Sequence, residues 1–173
     1  TELVRGVATY GWELFNAVPD LDTVYVPIGC GSGICGLISA RDALGLSTKI
    51  VGVVSENAAC AKLSVEAGRL TETAATYADG MAVRVPVQAA FDIYARGADR
   101  IVAVSDDEVA EAVRLFYRCT HNLAEGAGAA PLAALMQERD RMAGRKTAVI
   151  LCGGNIDGDW FAEILAGRTP RPR

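Results

Sequence analysis

The chain has 173 residues, 51% of them hydrophobic and 22% charged, with a net charge of -4. That length suits one domain burying on the order of 70% of its unfolded surface, and the acidic balance gives no electrostatic footprint for nucleic acid or an anionic membrane. No apolar run approaches the roughly 20 residues of a membrane span, and the amino end lacks the basic-then-apolar pattern of a signal peptide.

Residues Thr1 to Ala17 read as a helix in which Leu3, Val7, Trp12, Leu14 and Phe15 need burial. With Thr1 standing where a methionine would start a protein, they point to a chain that begins inside a longer one. Thr23 to Ile28 is the first of four short, nearly continuous apolar runs; the others are Lys49 to Val54, Arg100 to Val104 and Thr147 to Leu151. Such runs lack the alternation of a half-exposed strand and suit a parallel sheet covered on both faces. Helices are expected at Gly33 to Leu44 and Ala58 to Ala67. Two more follow, one with Val87, Phe91, Tyr94 and Ala98 on a shared face, the next opened by a Ser105/Glu108 capping box and running past Val109, Val113 and Tyr117. The last two are read at Ala127 to Met142 and Asp159 to Leu165. Strand and helix alternate throughout, so the fold class is α/β, a mostly parallel open sheet with helices on both faces, forming one domain over residues 1–168 with a tail at 169–173 that is loose from Pro170 on.

Five cysteines, Cys30, Cys35, Cys60, Cys119 and Cys152, form no Cys-x-x-Cys pair and stand at no zinc-finger spacing from the only histidine, His121. They read as the reduced thiols of a cytoplasmic protein.

The stretch Gly29-Cys30-Gly31-Ser32-Gly33 follows the first strand and opens the next helix. Glycines there let backbone N–H groups approach an oxyanion, the helix adds its unsatisfied amides and positive dipole end, and Ser32 offers a hydroxyl. The spacing therefore points to a phosphate cradle, with a plain glycine turn as the bland alternative; a Cβ at Gly31 is expected to intrude on the anion. Cys152-Gly153-Gly154-Asn155 follows the last strand, and both loops stand where ligands of an open α/β sheet bind, at the carboxyl ends of strands. They are expected to open into one crevice. Gly31-x-Gly33-x-x-Gly36, with Glu56 about where a ribose-binding acid would stand, also fits a Rossmann-like NAD-binding domain of an oxidoreductase. A non-catalytic binding module is a third reading.

Val26-Pro27-Ile28-Gly29-Cys30-Gly31-Ser32-Gly33 and Leu151-Cys152-Gly153-Gly154-Asn155-Ile156-Asp157, with Ala78-Asp79-Gly80, Glu125-Gly126-Ala127-Gly128-Ala129 and the segment Gly6 to Glu13, occur in order along almost the whole chain. Together they resemble the carboxyl-terminal half of the pyridoxal-phosphate-dependent threonine/serine dehydratases of the tryptophan-synthase-β fold type. Leu3 to Tyr10 and the Cys-Gly-Ser-Gly form of the loop resemble the branch linked to hydroxyectoine breakdown. The resemblance implies the cofactor pyridoxal 5'-phosphate, its phosphate on Gly29, Cys30, Gly31, Ser32 and Gly33, its pyridine nitrogen facing Cys152, and Glu125 near its ring. It implies loss of water from an L-hydroxy amino acid such as threonine or serine, giving a 2-oxo acid and ammonia, in a homo-oligomer.

The family's Schiff-base lysine sits in a Ser-x-Lys-x-Arg-Gly context in the amino-terminal half. Here the lysines are Lys49, Lys62 and Lys146, none in that context. The resemblance therefore implies a cofactor-cradling portion that needs a missing amino-terminal half and is inactive alone. The chain ends 18 residues after Asn155, too soon for the feedback-sensing domain of biosynthetic relatives. Some relatives hold a divalent cation after the strand ending near Val54; Ser55 to Cys60 offers one carboxylate, Glu56, and no metal site is expected. His121 reads as an ordinary polar contact, and Asn155 and Asp157 as residues that order the turn after Cys152.

Overall fold

The computed structural model describes residues 2–68 and 76–171, so Thr1 and the last two residues of the expected tail lie outside the described residues. The helices are α1 (Glu2–Ala17), α2 (Ser32–Ala43), α3 (Cys60–Ala67), α4 (Gln88–Gly97), α5 (Asp106–Thr120), α6 (Gly126–Gln137) and α7 (Gly158–Leu165). The strands are β1 (Thr23–Pro27), β2 (Lys49–Ser55), β3 (Arg100–Val104) and β4 (Thr147–Val149), with single 3₁₀ turns at Glu56–Ala58 and Asp79–Met81.

All described strand pairs are parallel, in the order β3-β2-β1-β4. The connections from β1 to β2 and from β2 to β3 step one way across the sheet, and the chain then returns to place β4 on the free side of β1. That reversal makes the carboxyl ends of β1 and β4 the switch point where open α/β sheets take ligands.

Side chains of successive strand residues face opposite ways and feed two cores. Val24, Val26, Ile50 and Val54 pack with α1, α2 and α4 on one face. Tyr25, Val51, Val53 and Val104 pack with α5, α6 and α7 on the other. Both faces are covered, which is why the strands read as continuous apolar runs. The Ser105/Glu108 capping box forms as expected, Ser105 Oγ accepting from the Glu108 N–H and the Glu108 carboxylate from the Ser105 N–H.

Four expectations need correction. Leu3 and Trp12 are 68% and 50% exposed. Helix α1 buries only the stripe through Gly11 and Phe15, where Gly11 lies against Leu37 and Ala40 of α2; Trp12 stands about 100° around the axis from Gly11, and Leu3 lies in the first turn. The helix expected from Ala58 starts instead as a 3₁₀ turn, because the Ser55 hydroxyl accepts from the Asn57 N–H. Helix α6 ends at Gln137 rather than Met142, and Glu138 turns inward to accept from the Tyr25 hydroxyl at 2.6 Å and from Arg100 Nε at 2.9 Å. Finally, the tail is docked where it begins, since Thr169 Oγ1 donates to Asp107 and Pro170 is buried.

Candidate active site

The chain leaves β1 through residues 28–31. Ile28 N–H still donates to the Val53 carbonyl at 2.8 Å, so β2 holds the strand to the mouth of the loop. A Cβ at Gly29 would strike the carbonyl oxygen of Gly80, and Gly31, with φ 92°, is the left-handed N-cap of α2. These two glycines are demanded by the chain itself. A Cβ at Gly31 would lie 2.8 Å from the Ala90 Cβ and 3.4 Å from the Tyr94 ring. It points into the protein and not toward a ligand, which corrects the expectation drawn from sequence. Among the described residues, no backbone carbonyl accepts from the N–H groups of Cys30, Gly31, Ser32 or Gly33. The first turn of a helix cannot satisfy its own amides, so four donors stand at the positive end of the α2 dipole with no partner among the described residues.

The strap carrying Ala78-Asp79-Gly80 forms one border of this loop. It is held from below by Asp106, whose carboxylate accepts from the Thr76 hydroxyl at 2.5 Å, from the Ser55 hydroxyl at 3.2 Å and from Asn57 Nδ2 at 3.3 Å. Thr76 Oγ1 in turn accepts from the Ala78 N–H at 3.1 Å.

The opposite border is the turn after β4. Glu125, the N-cap of α6, donates its N–H to the Gly153 carbonyl at 3.1 Å, and its Oε2 accepts from the Asn155 N–H at 3.2 Å. Its carboxylate fills the space that a side chain at Gly153 would need. Glu125 thus fixes the turn that presents Cys152. Cys152 is exposed at the open mouth while protein crowds its inner side; that partial burial, and then the Glu125 carboxylate, push the thiol above the usual cysteine range. A thiol so placed stays protonated at neutral pH.

These borders enclose a crevice of about 550 Å³ at the carboxyl ends of β1 and β4. Gly29, Cys30, Gly31, Ser32, Gly33, Glu125 and Cys152 all line it, as does Gly80. Val7 and Tyr10 of α1 line it too, and sequence reasoning had given them no part in it. The signal was present: they lie one helical turn apart, three residues, in the segment Gly6 to Glu13. Asn155 and Asp157 stand instead around an adjoining cavity of about 120 Å³ with Glu125 and Trp160. Glu56 is exposed in its 3₁₀ turn, and His121, also exposed, caps α5 in the left-handed conformation (φ 57°); neither lines the crevice. Lys49 opens β2 and Lys146 immediately precedes β4, both at the amino ends of the strands away from the crevice, paired with Asp99 at 3.5 Å and Asp20 at 2.6 Å, and Lys62 lies on α3 beside Glu66. No lysine lines the crevice among the described residues.

Comparison with known proteins gives the family and the fold. A family described as "Pyridoxal-phosphate dependent enzyme" matches residues 1–153. An L-threonine ammonia-lyase of Thermotoga maritima is 34% identical over 165 residues, covering 94% of this chain and 41% of its own. A phenylserine dehydratase of Ralstonia pickettii is likewise 34% identical, over 94% of this chain and 51% of its own. The structure of the processed form of threonine deaminase isoform 2 from Solanum lycopersicum superposes with a TM-score of 0.88 at 27% identity, over 95% of this chain and 49% of that one. The chain therefore spans about half the length of the curated relatives it matches.

Proposed function

This chain belongs to the pyridoxal-phosphate-dependent enzyme family, and from that premise we propose that it forms the cofactor-cradling part of a dehydratase acting on an L-hydroxy amino acid of the threonine or serine type. Membership leaves no role for the dinucleotide-binding alternative. One observation carries the proposal: residues 29–33, 125 and 152, far apart in the sequence, line a single crevice at the switch point of the sheet.

The residues present fit the cofactor. Four amides without partners among the described residues, at a helix start, match a phosphate dianion, and the Ser32 hydroxyl adds a donor. Across the crevice, Cys152 matches the pyridine nitrogen: a neutral thiol is a weak donor and does not force the ring to take a proton. When bound, the cofactor supplies the electron withdrawal that makes the α-proton acidic and lets a β-hydroxyl depart as water.

The chain's own share is binding and orientation. Gly29 to Gly33 hold the phosphate, the Asp106-braced strap keeps Gly80 against Gly29, and Glu125 sets the position of the Cys152 thiol. Val26, Ile150 and Leu151 make the inner wall apolar and keep water from it. The group that accepts the α-proton is a lysine contributed by the amino-terminal half of the full-length protein, which closes the open side of the crevice. The domain spans residues 1–168, the assembly is a homo-oligomer, and cysteines outside any disulfide accord with a cytoplasmic enzyme.

The test is to load the full-length protein with pyridoxal phosphate, follow its visible absorbance, and assay 2-oxo acid release from L-threonine, L-serine and L-phenylserine. Cofactor binding with release from at least one of them is the expected result. A well-folded protein that binds no cofactor would falsify the proposal.

A further inference from the structure

Among the described side chains of α1, Tyr10 is the only one that hydrogen-bonds outside its own helix. Its hydroxyl donates to the Gly33 carbonyl at 2.9 Å, across 23 residues of sequence. The polar bonds of Arg5, Thr9 and Asn16 stay within α1, and the other described α1–α2 contacts are apolar, with the closest approaches at Gly11 and Gly36. The one polar tie thus falls at the end of α2 that carries the phosphate cradle. Tyr10 also lines the crevice, as do Gly33 and Cys152. Burial and then the neighbouring Cys152 push its hydroxyl well above the usual tyrosine range, so it remains a proton donor at every physiological pH.

We propose that Tyr10 is a positioning residue of the cofactor site: by holding the Gly33 carbonyl it locks the first turn of α2 to α1 and fixes the distance between the phosphate amides and Cys152. This rests on the cofactor reading given above. Apolar contacts alone would let α2 rock on its glycine seam; the hydrogen bond removes that freedom at the point where four amides must converge on one anion. Preorganisation of this kind acts on affinity, since a cradle that must be ordered on binding binds more weakly.

The experiment uses the full-length protein and two probes, pyridoxal phosphate and inorganic phosphate. Tyr10→Phe keeps the ring and removes the donor. It is expected to weaken binding of both probes by about five- to tenfold, the loss of one hydrogen bond, and to speed hydrogen exchange at the amides of residues 35–37 while the carboxyl-terminal half of α2 stays protected. The absorbance maximum of the bound cofactor is expected to move, because its ring then sits differently against Cys152. Tyr10→Gln, which retains a donor, should recover part of the affinity, and Thr9→Ala, whose hydroxyl bonds only within α1, should change nothing. A merely structural Tyr10 would lower the melting temperature and leave both dissociation constants unmoved. Wild-type affinity in Tyr10→Phe, or equal losses in the Phe and Gln variants, overturns the inference while the cofactor reading stands. If the wild-type protein binds neither probe, the cofactor reading fails and this inference with it.

Discussion

Gly33→Asp gives a sharp test of the phosphate cradle. A Cβ at this position meets only the Tyr10 hydroxyl at 3.7 Å and Val26 Cγ2 at 3.8 Å, ordinary contacts, and both residues line the crevice. The substitution is therefore tolerated by the fold, and a carboxylate in the first turn of α2 is favourable to the helix by about 0.3–1 kcal/mol. It should nevertheless exclude a second anion. A carboxylate and a phosphate dianion about 6 Å apart repel by roughly 1.4 kcal/mol in bulk water and roughly 5.5 kcal/mol at the effective dielectric of a partly buried site. Even the lower figure is about tenfold in affinity. Titration of the full-length protein with pyridoxal phosphate should show at least that loss, calorimetry should show an apo melting temperature equal to or above wild type, and Gly33→Ala should stay within about threefold of wild type, the scatter of a single methyl contact. Equal cofactor affinity in Gly33→Asp and wild type would refute the assignment of the phosphate to this loop. Gly31→Val is not a substitute, because its side chain meets Ala90 and Tyr94 at a positive φ and damages the fold first.

Cys152→Ser should retain most 2-oxo acid formation, whereas Cys152→Asp should protonate the ring and depress elimination relative to side reactions; identical product ratios would show that residue 152 does not face the nitrogen. Glu125→Gln removes one of the two causes that raise the Cys152 thiol, so its pKa falls and alkylation at pH 8 followed by mass spectrometry should be several-fold faster at Cys152, with exposed Cys119 as the internal reference. Burial works to raise the Glu138 carboxyl, but Arg100 and Tyr25 together hold it below the usual range. A depressed folded pKa gives stability that is present above the unfolded value and lost as pH falls through the folded one. Glu138→Gln should accordingly cost about 2 kcal/mol at pH 7, and the gap in denaturation midpoints should shrink below about pH 4. Lastly, the 173-residue chain alone, treated with pyridoxal phosphate, L-threonine and borohydride, should release no 2-oxobutyrate and show no stoichiometric adduct at Lys49, Lys62 or Lys146; labelling of any of them together with turnover would place the reactive amine in this chain.

The order of elements was legible in the sequence because its causes are local or periodic. β3 matches the expected span Arg100 to Val104 at both ends, and the α5 capping box forms from Ser105 and Glu108, since a doubly covered strand and a capped helix start each write their requirements into adjacent residues. That the loop at residues 29–33 and the Cys152 turn would open into one crevice was legible for a similar reason: both follow parallel strands at their carboxyl ends. Helix ends were less so. α6 stops at Gln137, before the charged run Glu138 to Arg141, where Glu138 accepts from Tyr25 and Arg100, a partnership that spacing along the helix does not announce.

Direction in space was decided by the tertiary structure. The sequence names Gly31 as special but not whether its missing Cβ makes room for a ligand or for Tyr94, because that depends on α4 packing behind the loop, some sixty residues on. It marks Glu125 as a helix cap, while its grip on Gly153 and Asn155 arises only when β4 pairs with β1. Tyr10 has the spacing of a core residue on α1. Its bond to the Gly33 carbonyl follows from the close seam at Gly11 and Gly36, a contact between two helices that periodicity within either one cannot express.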